Sequence, residues 1–212
     1  MRNSPSKLAL SAALAFAITF TFSCSSPDDD NGGGGSSSGG NVPSVIVGSL
    51  SYQGKTYKTV KIGTQTWMAE NLNYEVSGSL CYENDPAYCN EYGRLYDWET
   101  AKTVCPSGWH LPGKFDWDKL VNYVESNSCS AYELGCVDEH LKATSGWKNG
   151  DNGTDTYSFA ALPSGFYSYS GDNFLGIGNS GGWWIATENE IFAVSFVFYS
   201  RSDFFSVRCI QN

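Results

Sequence analysis

The chain is short of basic residues and of imidazole. Of its 212 residues only 13 are lysine or arginine, against 22 aspartate or glutamate, and only two are histidine. No stretch forms a basic stripe, which argues against nucleic acid and against direct adsorption to anionic lipid as partners. His110 and His140 stand at no ligand spacing from a cysteine pair, and no C-x2-C pair occurs, so a structural zinc site is not encoded. A Gly-x-Ser-x-Gly nucleophile context is missing, as is any internal repeat. No apolar run reaches the ~20 residues of a membrane-spanning helix.

What is present begins with a secretory signature. Arg2 and Lys7 precede the apolar run "LALSAALAFAITFTF" at 8–22, whose charge and length suit a signal peptide. "TFSC" places Cys24 where a bacterial lipoprotein signal is cut. Ser23 is small enough for that position, although Thr21 departs from the usual aliphatic. Residues 1–23 are therefore expected to be removed and Cys24 to carry acyl chains, each buried CH₂ contributing ~0.8 kcal/mol to membrane attachment. The stretch "SSPDDDNGGGGSSSGGN" that follows cannot bury apolar surface. Residues 24–48 are expected to be a flexible tether spanning roughly 28 Å. Asp28, Asp29 and Asp30 read as a solvated run or an acidic export signal rather than as metal ligands.

Residues 49–212 are expected to form one aromatic-rich domain. Seven cysteines are present. With Cys24 lipidated, an even set remains in an oxidising compartment. Cys81 and Cys89 bracket a short loop, as do Cys129 and Cys136, which leaves Cys105 for Cys209. That long-range staple is worth ~4–5 kcal/mol in the chain-entropy model.

"KTYKTVKIGTQTWMAENL" (55–72) alternates like a β-hairpin. "GRLYDWETAKTVC" sets Leu95, Trp98, Ala101 and Cys105 near one helical face before Pro106. In "FDWDKLVNYVES" the residues Trp117, Leu120, Val121 and Val124 mark a second amphipathic helix, and "CVDEHLKA" suggests a short third one. Beyond Thr144 come Gly-rich loops and strand candidates at 158–162, 183–188, 191–200 and 204–210. The pattern is an α+β domain of two or three helices on short antiparallel sheets with long loops.

The segments "YKTVKIGTQTWMAENLNY", "YGRLYDWETAKTVCPSGWHLP", "LKATSGW", "YSFAALPSGF", "WWIATE" and "SVRCI" resemble the Fibrobacter succinogenes major paralogous domain. That family in turn resembles the C-type-lectin-like fold group, which includes the formylglycine-generating enzymes, a likeness of fold alone. The resemblance implies a first-helix cysteine bridged to one in the last strand, the places of Cys105 and Cys209. Pro106 and Gly108 then end the helix, and Trp109 and Leu111 enter the core.

Calcium is the cofactor such folds suggest. Asn149, Asp151 and Asp155 alternate along a Gly-rich loop where oxygen ligands could wrap a hard cation, although the loop lacks the EF-hand glycine and terminal glutamate. The carboxylates Glu70, Asp97, Glu99, Asp116, Glu188 and Glu190 show no pairing in sequence. Trp183 and Trp184 are adjacent on a strand candidate and must face opposite ways. The family motif suggests Trp184 points inward, which would turn Trp183 toward the loops bearing Asp151, Asp155, Tyr167 and Tyr169.

The resulting expectation is a lectin-like binding or adhesion module, lipid-anchored in the bacterial envelope at the outer membrane or cell surface, for a glycan or protein ligand. An envelope enzyme (hydrolase or formylglycine-type oxidase) and a structural surface protein are the alternatives. The anchor has a direct test. Mass spectrometry of the purified N-terminus should find a diacyl- or triacyl-modified Cys24, and Cys24→Ala should release the protein in soluble form. An unmodified start further along the chain would refute lipidation.

Overall fold

Side chains along a strand alternate between two faces, and here both faces of the central strands are covered. The computed structural model describes residues 45–130, 133–187, 191–194, 200 and 202–212; Cys24 and the aspartates of the tether lie outside them. The chain opens with strands β1 (Ile46–Tyr52), β2 (Lys55–Ile62), β3 (Gln65–Met68) and β4 (Ser79–Leu80), then helix α1 (Pro86–Tyr92). Next come β5 (Leu95–Tyr96), helix α2 (Trp98–Ala101), β6 (Trp109–His110), and helices α3 (Lys114–Ser128) and α4 (Cys136–Leu141). From Ser164 onward the described regular elements are strands: β7 (Ser164–Ser168), β8 (Asn173–Ile177), β9 (Gly181–Trp184), β10 (Ile191–Val194), β11 (Phe205–Ser206) and β12 (Ile210–Gln211).

These make one sheet in the order β1-β2-β3-β12-β6, a second in the order β10-β9-β11-β5-β4, and a separate β7-β8 hairpin. Among the described strands every pairing is antiparallel except β11 with β9. The strand β1 starts ahead of residue 49, because Val45 already packs on the core.

Alternation sorts the large side chains into two hydrophobic cores. Val60, Trp67 and Trp183 join Trp117 and Leu120 of α3 in one. Tyr57, Met68 and Trp184 join Tyr96, Phe205 and Val207 in the other. This corrects the expected outward Trp183. The two indoles do point to opposite faces of β9, but each face meets a core, and both rings are fully buried. The Trp183 Nε1–H donates to Asn71 Oδ1 at 2.8 Å, and the Trp184 Nε1–H to the Tyr96 carbonyl at 2.7 Å.

α3 forms where its apolar spacing indicates. Asp116 accepts from the Gly113 N–H at 2.9 Å, and Trp117, Leu120 and Val124 are buried. α1 starts inside a cysteine loop that carries no helical periodicity. Asp85 caps it by accepting from the Ala87 N–H at 2.8 Å, Pro86 starts it, and Gly93 at φ 78° ends it. The helix expected over 93–105 is largely replaced. Leu95 and Tyr96 pair as strand with β4 and β11, and Asp97 caps only the short α2, so Cys105 lies beyond the helix. The expected strand at 158–162 is also absent, since Ser158 and Ala160 have φ of 54° and 51° and only Ala161 makes a bridge, to Lys142.

All six domain cysteines pair as their spacing indicates. Cys81–Cys89, Cys105–Cys209 and Cys129–Cys136 have Cα separations of 5.0, 5.8 and 5.8 Å.

Truncating Trp183 should therefore cost stability. Trp183→Ala is expected to destabilise by ~3–5 kcal/mol, read as a lowered denaturation midpoint; an unchanged midpoint would contradict the buried placement. A pH effect follows from the buried phenols. Burial raises Tyr57, Tyr82, Tyr96 and Tyr157, and raises Tyr92 to about 12. Above pH ~10 the unfolded chain sheds phenolic protons that the fold retains, so stability falls as pH rises. Burial acts the opposite way at Arg208, drawing it down to about 9, so between pH ~9 and ~10 the two effects oppose each other and the decline belongs to pH above ~10. Equilibrium unfolding from pH ~10 to ~11 should show a declining midpoint together with tyrosinate absorbance appearing on unfolding.

Candidate functional site

Exposed Tyr169 and half-buried Tyr167 and Phe174 cluster at the β7-β8 hairpin, whereas exposed Phe115 stands apart on α3. Its register sets Tyr167 opposite Phe174 and Ser168 opposite Asn173, with the two rings 4.9 Å apart between centroids. Tyr167 also meets Phe204 edge-on at 5.5 Å, where the two backbones exchange hydrogen bonds of 3.2 and 2.9 Å. On the far side Phe174 reaches Tyr82 at 5.1 Å, and Tyr82 reaches Tyr88 at 5.2 Å. The hairpin thus carries one end of a file of aromatic rings drawn from three separate segments.

The tip is held by carboxylates. Asp203, 2% exposed, accepts from the Tyr169 N–H at 3.0 Å and from the Ser200 N–H at 2.7 Å. With its backbone fixed, the Tyr169 ring stands 64% exposed, and Leu175 on the neighbouring strand is 41% exposed. The Tyr167 hydroxyl donates to Asp172 Oδ1 at 2.8 Å, and that carboxylate raises the phenol above its usual value. Aromatic area set beside hydroxyls and carboxylates suits a ligand with both apolar faces and polar edges. Sequence reasoning found Tyr167 and Tyr169 because they are neighbours. It missed Tyr82, Tyr88 and Asp203, which no local pattern ties to the hairpin.

The expected calcium loop does not form an oxygen cage. Asp151 is taken by the Lys142 ammonium at 2.7 Å. Asp155 turns inward, accepting from the Ala160 N–H at 2.7 Å, and burial raises its pKa while the Arg208 guanidinium opposes that shift. Asn149 sits at φ 60° in a tight turn. Among the described residues no group of three or more His, Cys, Asp or Glu side chains could hold a metal ion.

The carboxylates considered for acid–base chemistry have structural duties. Asp97 and Asp116 cap helices, with Asp116 also 3.5 Å from His110 Nε2, and Glu99 pairs with Lys102 at 2.7 Å. Glu70 accepts from the Lys58 N–H at 3.1 Å. Glu188 and Glu190 lie outside the described residues. Every domain cysteine is disulfide-bonded, so thiol-dependent oxidase chemistry has no free sulfur to use. Among the described residues no helix is long and apolar enough to cross a membrane.

Comparison with curated proteins and with solved structures gave no match. The family model described as the Fibrobacter succinogenes major domain matches residues 60–211, which takes in both sheets from within β2 to β12, all four helices and the aromatic hairpin. The chain belongs to the Fibrobacter succinogenes major domain family.

Proposed function

We propose that this protein is a binding module of the bacterial envelope, lipid-anchored through Cys24 and held off the membrane by its Gly/Ser tether, whose aromatic hairpin engages a glycan. The observation that carries the reading is the exposed Tyr169 ring beside the half-buried Tyr167–Phe174 pair, fixed from beneath by the buried Asp203. Exposed aromatic planes stack on the C–H faces of sugar rings. The nearby Asp172 carboxylate and the hydroxyls of Ser168 and Ser170 supply hydrogen bonds to sugar hydroxyls. Such a rigid ring costs little entropy to present.

A C-type-lectin-like ancestry is consistent with this reading. What supports it is the Cys105–Cys209 bridge joining the segment after α2 to the last strand, together with two small sheets and long connecting loops. The same exposed face favours a ligand-binding role over a passive coat.

The purified full chain should retain a subset of glycans on an array. Tyr169→Ala should weaken those interactions by ~1 kcal/mol or more, about five-fold, while leaving the melting temperature nearly unchanged, as surface substitutions do. Glycan retention that is indifferent to Tyr169 would move the site elsewhere, and no retention at all would refute the glycan reading.

A further inference from the structure

A second concavity lies behind α1, away from the hairpin tip. It encloses about 230 Å³, below the ~300 Å³ at which drug-sized pockets begin, so it accommodates one ring rather than a chain of them. Its floor is Asn71, 3% exposed. The Asn71 amide is fully committed, donating to the Tyr92 carbonyl and to Ser206 Oγ and accepting from Trp183 Nε1 and Arg208 Nε. The floor is therefore rigid.

The lip is held under strain. Ser158 and Ala160 both adopt left-handed backbone, at roughly 1–3 kcal/mol each for residues other than glycine. The buried Arg208 guanidinium holds them there by donating to the carbonyls of Phe159 and Ala160. A strained, over-determined lip beside a concave polar cleft is where function is expected.

The walls carry Lys55 and Lys58 from β2, Glu70 after β3, and Asn90 and Glu91 from α1. Two ammoniums offset two carboxylates, which favours a ligand of no net charge. No hydrogen bond within the described residues engages the side chains of Asn90 or Ser158, so their donors and acceptors are open to a ligand. Tyr92 also lines the cleft and sits 6.2 Å from Tyr88. Tyr82 and Tyr92 are themselves buried, so the aromatic file from Tyr92 through Tyr88, Tyr82 and Phe174 to Tyr167 braces the cleft wall against the hairpin from inside.

We propose that this cleft is a subsite for one neutral sugar ring, a contact separate from the exposed hairpin tip. Sugar hydroxyls both donate and accept, and the lining supplies both functions in near-equal measure: ammonium and amide donors, carboxylate, amide and hydroxyl acceptors. The proposal rests on the glycan reading and adds to it a second contact the size of one monosaccharide.

The test is an amide NMR titration of the full chain with methyl glycosides of neutral hexoses and pentoses. Saturable shifts at Asn90, Glu91, Gly93 and Ser158 are expected. Asn90→Ala and Lys58→Ala, both exposed positions, should each weaken this monosaccharide binding about five-fold or more, whereas Tyr169→Ala should weaken only longer glycans. If array glycans bind but no glycoside perturbs the cleft, or the two cleft variants bind both classes normally, the subsite is refuted while the hairpin reading stands. Shifts at the cleft from a free amino acid and from none of the glycosides would likewise overturn it. Absence of all glycan binding would remove both.

Discussion

One primary amide ties the interior together. The Asn71 side chain links the end of α1, the indole of β9, the hydroxyl of β11 and the guanidinium beside β12, with four hydrogen bonds of 2.8 to 3.3 Å. Only an amide offers two donors and an acceptor with two lone pairs in so small a volume. A carboxylate would leave the Tyr92 carbonyl without its donor, and a buried polar group left unpaired costs ~1–3 kcal/mol. The neighbouring Gly93 is constrained by the same residue, since a Cβ there would lie 2.7 Å from Asn71 Cβ.

Arg208 depends on that amide and passes the constraint outward. Its charge is fully buried, and among the described residues no carboxylate forms an ion pair with it. Backbone carbonyls, the Asn71 oxygen and the faces of Phe159 and Trp183, at 4.4 and 5.4 Å, take the place of solvent. Asp155 and Glu70 oppose the effect of desolvation from further away. The segment from Asp155 to Ala160 wraps this cation, which is why its backbone leaves the extended conformation that the apolar pattern "SFAAL" suggests.

The features of the fold legible in sequence were those governed by local rules. Cysteine spacing identified the three bridges, and the spacing of Trp117, Leu120 and Val124 identified α3. Alternation correctly sent Trp183 and Trp184 to opposite sides of their strand. It could not reveal that the sheet has a core on both sides, because that depends on α3 and on loops far away in the chain. Leu95 and Tyr96 look helical beside Trp98 and Ala101, yet pairing with β4 and β11 outweighs that preference. At the candidate site Tyr167 and Tyr169 were visible as a cluster. Asp203 and Tyr82, separated from them by tens of residues or by a disulfide loop, were not.

The position of β1 has a mechanical consequence. Among the described residues it is the edge strand of its sheet, paired antiparallel with β2, and its first residue, Ile46, is at the open end of the β1-β2 ladder, opposite Lys61. Tension arriving through the preceding segment loads that ladder from its open end, so the rungs break in succession instead of shearing together. No disulfide crosses β1 to arrest the peeling. At about 3.3 Å per residue, its seven residues release about 23 Å of chain. β12, by contrast, lies between β3 and β6 and is anchored through Cys209. Under load the domain pays out a short length of line from one edge while the elements that shape its aromatic face stay closed.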